Sequence, residues 1–298
     1  MKKFYKRSGT TAAKAASCGA MALLFGLAIP TQAATLYATN TAGSLLRFDS
    51  GSPSMVASVG LSGLQGGETL LGIDFRPANS VLYGLGSTGR IYTVNTATGI
   101  ATQVGSGTIA LTGTSFGFDF NPVPDRIRLT SDADLNLRVN PDTGAIANVD
   151  TTLAFAMMDP NAGMNPNVVG SGYTNSFNGA ATTTLYGIDS VLDILVSQNP
   201  PNDGTLNTIG PLGVNVTSLV GFDIVFPGNQ AFAALQVGTG FSSLYSVNLT
   251  TGAATLVGAI GTNQVVTGLA AAPIPEPASL ALVGLGLVGG LLWRRRQA

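Results

Sequence analysis

Leu82-Tyr83-Gly84-Leu85-Gly86-Ser87-Thr88-Gly89-Arg90-Ile91-Tyr92-Thr93-Val94, closed by Asn95-x-x-Thr98-Gly99, decides the fold because the chain repeats it. Two short β-prone runs flank a glycine-bearing turn. Asn95 and Gly99 then offer the side-chain bonding and positive φ that the next hairpin needs. The first of these strands recurs as Leu36-Tyr37, Leu82-Tyr83, Ile127-Arg128, Leu185-Tyr186 and Ala231-Phe232, at spacings of 46, 45, 58 and 46 residues. The second recurs as Leu45-Leu46-Arg47-Phe48, Leu137-Arg138-Val139, Ile194-Leu195-Val196 and Leu244-Tyr245-Ser246-Val247. The turn returns in Asn140-x-x-Thr143-Gly144 and Asn248-x-x-Thr251-Gly252. A third strand ends in Val59-Gly60, Val104-Gly105 and Val257-Gly258, and a fourth carries Gly72-Ile73-Asp74-Phe75, Gly117-Phe118-Asp119-Phe120 and Gly221-Phe222-Asp223-Ile224.

Four short strands per repeat of about 45 residues is the period of a β-propeller blade. The body shows no sustained helical periodicity, and the chain's 39 glycines suit a turn-dense all-β protein. Thr267-Gly268-Leu269-Ala270 aligns with the fourth-strand motif, so the last strand completes the blade begun by residues 35–60. The expectation is an all-β, five-bladed β-propeller of four-stranded blades, its ring closed by the C-terminal strand. Closure removes exposed sheet edges. An open β-solenoid or a sandwich is the structural alternative. The third repeat is a dozen residues longer, around Met157-Met158-Asp159-Pro160-Asn161-Ala162-Gly163-Met164-Asn165-Pro166, a loop by composition. It reads as a tolerated, partly flexible insertion, or else as part of a working face.

Both ends differ from the body. Lys2, Lys3, Lys6, Arg7 and Lys14 precede an apolar run over residues 20–29, and Thr31-Gln32-Ala33 ends it with small residues. That is the pattern of a signal peptide, residues 1–33, with cleavage between Ala33 and Ala34. Cys18 precedes the apolar run, is misplaced for a lipoprotein cysteine, and leaves with the leader. The remaining chain has neither cysteine nor histidine. Disulfides, Ser-His-Asp triads, cysteine nucleophiles and ordinary zinc sites are therefore excluded. Oxygen-ligand metals and carboxylate or tyrosine chemistry remain. Between Ala34 and Pro273 six arginines face fourteen acids, a net charge of −8, which argues against nucleic acid as a partner.

The C-terminal segment, residues 273–298, holds Pro275-Glu276-Pro277, then a run over residues 278–293 whose only polar side chain is Ser279, then Arg294-Arg295-Arg296. A helix over the run spans roughly 24 Å against a hydrocarbon core of roughly 30 Å. Trp293 at the headgroups and snorkelling arginines make that workable as a transmembrane helix, with the arginines cytoplasmic and the body outside. Gly284-x-Gly286-x-x-Gly289 spells a dinucleotide fingerprint, but no strand precedes it and no acid follows. Gly286-x-x-x-Gly290 could pack a helix partner. A simple C-terminal anchor is one reading. The arrangement resembles the PEP-CTERM sorting signal of Gram-negative bacteria. That resemblance implies an exosortase-type processing enzyme as partner, transient anchoring in the inner membrane, and delivery to the cell surface or extracellular space.

In the body, residues 34–272, a second resemblance rests on Gly72-Ile-Asp-Phe-Arg-Pro77 with residues 82–92, Asp119-Phe-Asn-Pro122 with Asp125-Arg-Ile-Arg128, and Gln198-Asn-Pro-Pro-Asn-Asp-Gly204. These are similar to an uncharacterised domain of unknown function in secreted bacterial proteins, often propeller-like in its repeats. It lends a domain boundary and no catalytic residue.

Asp74, Asp119 and Asp223 occupy equivalent positions, so pseudo-rotation places them on one ring. Paired carboxylates on inner strands could serve a glycoside hydrolase, which needs two acids in different surroundings. These three have near-identical neighbours, which favours one repeated structural task, such as bonding turn amides or a neighbouring blade. Asp132-x-Asp134-x-Asn136 alternates oxygens as a calcium loop does, but lacks the glycine at the sixth position and the glutamate at the twelfth, so no cofactor is expected. Arg126, Arg128 and Arg138 are expected to pair with acids close in sequence, and Tyr37, Tyr83, Tyr92, Tyr186 and Tyr245 to pack between blades. The reading is an exported, non-catalytic surface or matrix protein associated with exopolysaccharide or biofilm by binding glycan or protein. A carbohydrate-active hydrolase is the alternative.

Overall fold

The hydrophobic gradient across each repeat builds the architecture: strands from the fourth-strand motif are buried on both faces, and outermost strands are largely exposed. In the computed structural model the described residues are Met1 and residues 33–273. The leader up to Gln32, the Pro275-Glu276-Pro277 motif, the helix expected over residues 278–293 and Arg294-Arg295-Arg296 lie outside them. Among the described residues no helix is long and apolar enough to cross a membrane.

The chain opens with β1 (Thr35–Asn40), β2 (Ser44–Asp49) and β3 (Ser52–Gly60). Next come β4 (Leu70–Arg76), β5 (Val81–Gly86), β6 (Ile91–Val94) and β7 (Ala101–Gln103), then β8 (Phe116–Asn121), β9 (Arg126–Ser131), β10 (Asn136–Val139) and β11 (Ile146–Val149). A short β12 (Ala154–Phe155) precedes β13 (Val168–Tyr173), β14 (Leu185–Asp189), β15 (Ile194–Gln198) and β16 (Thr205–Pro211). The last group is β17 (Val216–Val225), β18 (Gln230–Val237), β19 (Ser242–Val247) and β20 (Ala254–Ala259), and β21 (Val266–Ala271) ends the domain. They form five antiparallel sheets: β21-β1-β2-β3 (blade 1), β4 to β7 (blade 2), β8 to β11 (blade 3), β13 to β16 (blade 4) and β17 to β20 (blade 5). The inner strands β4, β8, β13, β17 and β21 pack in that cyclic order, making a five-bladed propeller.

β21 closes the ring beside β1 with Tyr37 opposite Ala270 and Thr39 opposite Gly268. Among the described residues the strands and apolar clusters all fall between Ala34 and Ala272, and the five blades close into a ring within that span. Blade 4 departs from the four-stranded pattern: β12 adds a fifth, parallel strand outside β16. The 157–166 segment that follows is a string of turns tied to that outer edge. Asp159 accepts from the Asn161 and Thr208 amides and the Thr208 hydroxyl.

The core lies between the blades. Leu36, Leu46, Phe232 and Leu244 join blades 1 and 5, Leu45, Ile73, Phe75 and Leu82 join blades 1 and 2, Tyr83, Leu85, Phe118 and Ile127 join blades 2 and 3, and Ile188, Leu195, Phe222 and Ala233 join blades 4 and 5. Edge-to-face pairs Tyr37–Phe75 and Tyr83–Phe120, with centroids 5.4 and 5.2 Å apart, add to two of these seams. The seam between blades 3 and 4 is different. There Arg128, 1% exposed, donates to Asp150 Oδ2 at 2.6 Å, Asn136 Oδ1 at 2.7 Å, Asn202 Oδ1 at 2.8 Å and the Tyr173 hydroxyl at 3.3 Å.

Candidate functional site

Two levels of the inner strands meet on the ring axis. The lower level is Gly72, Gly117, Gly170, Gly221 and Gly268, one from each blade. A Cβ on Gly72 would stand 2.7 Å from Phe118 Cβ, and one on Gly221 would stand 2.6 Å from the Leu269 nitrogen. On Gly268 it would stand 3.1 Å from Gly72 Cα, and on Gly117 it would overlap Ser171 Oγ. Glycine at all five positions lets five backbones converge, and the void they leave is about 10 Å³, at most a single water. The axis is plugged here.

Two residues further along the strands stand Asp74, Asp119, Gly172, Asp223 and Ala270. One oxygen from each of the three carboxylates lies within 4.8 Å of the others, and all three residues are buried. Each aspartate reaches the next blade. Asp74 Oδ2 accepts from the Phe120 amide at 2.7 Å, Asp119 Oδ1 from the Tyr173 amide at 3.1 Å, and Asp223 Oδ2 from the Ala271 amide at 2.6 Å. The accepting position is one residue beyond the aspartate position in the following blade. Gly172 and Ala270 cannot make this bond to Ile224 and Phe75. Those amides are satisfied instead by their own neighbours, Asp223 Oδ1 at 2.5 Å and Asp74 Oδ1 at 2.6 Å. Three acids thus satisfy all five amides at this level, as buried backbone donors require.

The electrostatics are less favourable than the hydrogen bonding. Two carboxylates 4.8 Å apart repel by roughly 3–4 kcal/mol at an effective dielectric constant of about 20. Burial, then the charge of Asp223, holds Asp74 well above the usual carboxylate range. Burial, then the charges of Asp74 and Asp223, does the same to Asp119. Burial raises Asp223 to about 6, against the amide bonds from Ala271 and Ile224. The cluster therefore holds its protons to higher pH than exposed aspartates do. Three carboxylates offer hard-cation donors, but calcium takes six to eight oxygens, and the hydrogen-bond partners of these three are backbone N–H groups. Of the three only Asp223 lines the adjoining cavity at the channel mouth, about 20 Å³ beside Phe75, Ser176 and Phe226, too small for a sugar ring.

The other sequence candidates disperse. Asp132 caps the Thr114 amide and hydroxyl, Asp134 stands in the β9–β10 turn at φ 62°, and Asn136 belongs to the Arg128 network. The pairing expected for the arginines is corrected: Arg128 and Arg138 meet at Asp150, and Asp125 pairs with Arg76 of the preceding blade, which also holds Asp142. Partners come from adjacent strands and blades because the hairpins bring those closer than chain neighbours. Tyr92 reaches the buried Glu68 with its hydroxyl.

Two surface grooves escaped the sequence reading. One, about 540 Å³, is lined on blade 2 by Ser80, Thr93, Asn95, Thr96, Thr98 and Thr102. The other, about 400 Å³, occupies the equivalent place on blade 5 with Asn229, Gln230, Ser246, Asn248 and Thr255. The recurring Asn-x-x-Thr-Gly turn was their signal in the sequence.

A closed five-bladed propeller with acids at its hub is the class that fold and site define. The chain belongs to the family described as "Domain of unknown function (DUF4394)", whose model matches residues 44–270. A PEP-CTERM protein-sorting motif matches residues 273–296, the recognition signal for exosortase processing, and implies export and sorting to the cell surface. No curated protein matches the chain. Among solved structures it is similar to a Bacteroides thetaiotaomicron protein of unknown function (13% identity, TM-score 0.49), covering 82% of this chain and 62% of that one. It is also similar to Myxococcus xanthus glutaminyl cyclase (11% identity, TM-score 0.43; 71% and 87% covered). A third is a putative 6-phosphogluconolactonase from Bacteroides uniformis (18% identity, TM-score 0.38; 79% and 71% covered).

Proposed function

We propose that the body is a non-catalytic binding scaffold, presented at the cell surface or in the extracellular matrix and associated there with exopolysaccharide through glycan contacts. The observation that carries this reading is the use of the hub carboxylates: all three are buried and engaged with inner-strand amides. They are not a pair of free acids flanking a sugar-sized cleft, which glycoside hydrolysis requires. The grooves on blades 2 and 5 set hydroxyl and amide side chains beside apolar ones such as Ile100 and Leu249, a mixture that could meet the hydroxyls and the ring faces of a polyhydroxyl ligand.

In this reading a signal peptide delivers the chain and is cut after Ala33. Ala33 is exposed, whereas Ala34 is 3% exposed with its nitrogen 2.9 Å from Ser50 Oγ, so the boundary of the folded body supports that cut. The run over residues 278–293 then holds the protein in the inner membrane until exosortase acts. A glycan-binding screen on residues 34–272, run beside a reducing-sugar-release assay, tests the function. Binding without release is expected, weakened by substitutions in either groove. Sugar release abolished by Asp119→Asn would establish the hydrolase instead. Surface localisation unchanged by deletion of residues 275–298 would contradict the sorting step.

A further inference from the structure

We infer that Asp74, Asp119 and Asp223 form a proton-operated latch, in which protons held at the hub keep the blades together and their loss as pH rises loosens the ring. The geometry has three parts. The carboxylates converge within 4.8 Å of one another. Each bonds an amide of the next blade, so Asp74 links blades 2 and 3, Asp119 links 3 and 4, and Asp223 links 5 and 1. Among the described residues no basic side chain pairs with them. Of the five elements packed round the hub, β4 brings Asp74 and Arg76, whose guanidinium is held by Asp125 and Asp142. β8 brings Asp119 and β17 brings Asp223. β13 brings Tyr173, whose hydroxyl is engaged by Arg128 of β9, and β21 brings no ionisable side chain.

Protonation of one member removes a charge from the cluster while the amide bonds to the next blade can persist. Full ionisation leaves three like charges within 4.8 Å of one another in a buried site. The composition makes the latch readable. The chain has no histidine, so besides the α-amino group its body has no side chain that ordinarily titrates between pH 5 and 8. Asp134 is also raised by burial and serves as a control.

The sign follows from proton counts. Folded-state affinities above the unfolded ones mean that the folded ring binds more protons, so stability falls as pH rises from about 4 through the folded values. Thermal melts of residues 34–273 should show the melting temperature dropping by about 3–6 °C from pH 5 to pH 8. Asp119→Asn keeps an oxygen for the Tyr173 amide and should at least halve that drop, whereas Asp134→Asn, which removes one raised acid outside the hub, should reduce it by less. A flat or rising profile, or an undiminished drop in Asp119→Asn, overturns the latch. Should Asp119→Asn fail to fold, calorimetry of the wild type in two buffers at pH 7 decides: unfolding must release protons, and none released overturns it. Melting must also be insensitive to EDTA, Ca²⁺ and Mg²⁺. A metal-dependent shift lost in Asp119→Asn would show that a cation neutralises the hub instead.

Discussion

The glycine level and the aspartate level of the inner strands lie two residues apart, yet they obey different rules. Glycine stands at all five places of its level, and aspartate at three of five. The difference separates what the ring must have from what it can share. Glycine is demanded most strictly at Gly72, Gly221 and Gly268, where a Cβ would meet the backbone or Cβ of the next blade. An absent carboxylate can be covered by a neighbour, because Asp74 and Asp223 each have two oxygens and satisfy two amides apiece. The repulsion argument gives the shortfall a further reason. Five acids around one axis would multiply a charge conflict that three already create.

The sharpest way to break this comparison is a side chain at the glycine level. Gly221→Val places branched carbons where the Leu269 nitrogen and Cβ stand, with no flexible side-chain end to yield. A loss of about 3 kcal/mol or more, measured by urea denaturation, is expected at the upper end for overpacking. A loss below about 1 kcal/mol would show that the axis is looser than five converging glycines imply. Asp74→Ala comes next. It strands the Phe75 and Phe120 amides, each worth about 1–3 kcal/mol when buried unpaired, offset in part by the charge removed. Asp74→Asn should recover most of that loss, since one amide oxygen remains. Equal losses for Ala and Asn would locate the role of Asp74 in its charge rather than in its bonds.

How far the sequence carries this picture follows from the same two levels. Repeat spacing, the Asn-x-x-Thr-Gly turns and the phase of Gly268 were enough for five blades and for closure beside Tyr37. These are periodic signals, and every blade repeats them. The inner strand of blade 4 was not legible. In Gly170-Ser171-Gly172-Tyr173 the aspartate is gone, and the inserted 157–166 segment displaces its phase. The glycine ring was in view in each quoted motif, but only the neighbouring backbone shows why a Cβ is excluded. The Arg128 network was beyond reach for another reason. Asp150, Asn136, Asn202 and Tyr173 are scattered in sequence and meet only where two blades face each other.

Acid conditions sharpen the contrast between the hub and the rest of the molecule. Burial would raise Glu68 and Asp150, but hydrogen bonds from Thr88 and Tyr92 and from Arg138 and Arg128 outweigh it and hold both low. Bonds from Arg76 lower Asp142, and those from Thr208 and Asn161 overcome burial at Asp159. These groups stabilise the fold above their unfolded values near 4, and that contribution is lost as pH falls through the folded ones. The hub acts in the opposite direction on the alkaline side. Stability should therefore peak in mild acid, near pH 5, in a melting-temperature profile from pH 2 to 9. A maximum at pH 8 would mean that the peripheral acids, not the hub, govern the profile.

The smallest expected effect tests whether the missing carboxylates are missing for a reason. Ala270 already carries a Cβ at the aspartate level and is fully buried, so a longer side chain there should point to the hub as its pseudo-symmetric counterparts do. Ala270→Asn would offer the Phe75 amide a neutral acceptor from the preceding blade and free Asp74 Oδ1. Its stability should stay within about 1 kcal/mol of the parent at either pH, since a new bond and the crowding of a buried site oppose each other. Ala270→Asp has nearly the same shape and adds a fourth acid. Near pH 5, where it can stay protonated, it should match the asparagine variant. At pH 8 it should fall below it by about 1 kcal/mol, one pKa unit of differential interaction. Equal stability of the two variants at both pH values would show that the hub tolerates further charge. The three-of-five pattern would then reflect only the sharing of amides, not a limit set by repulsion.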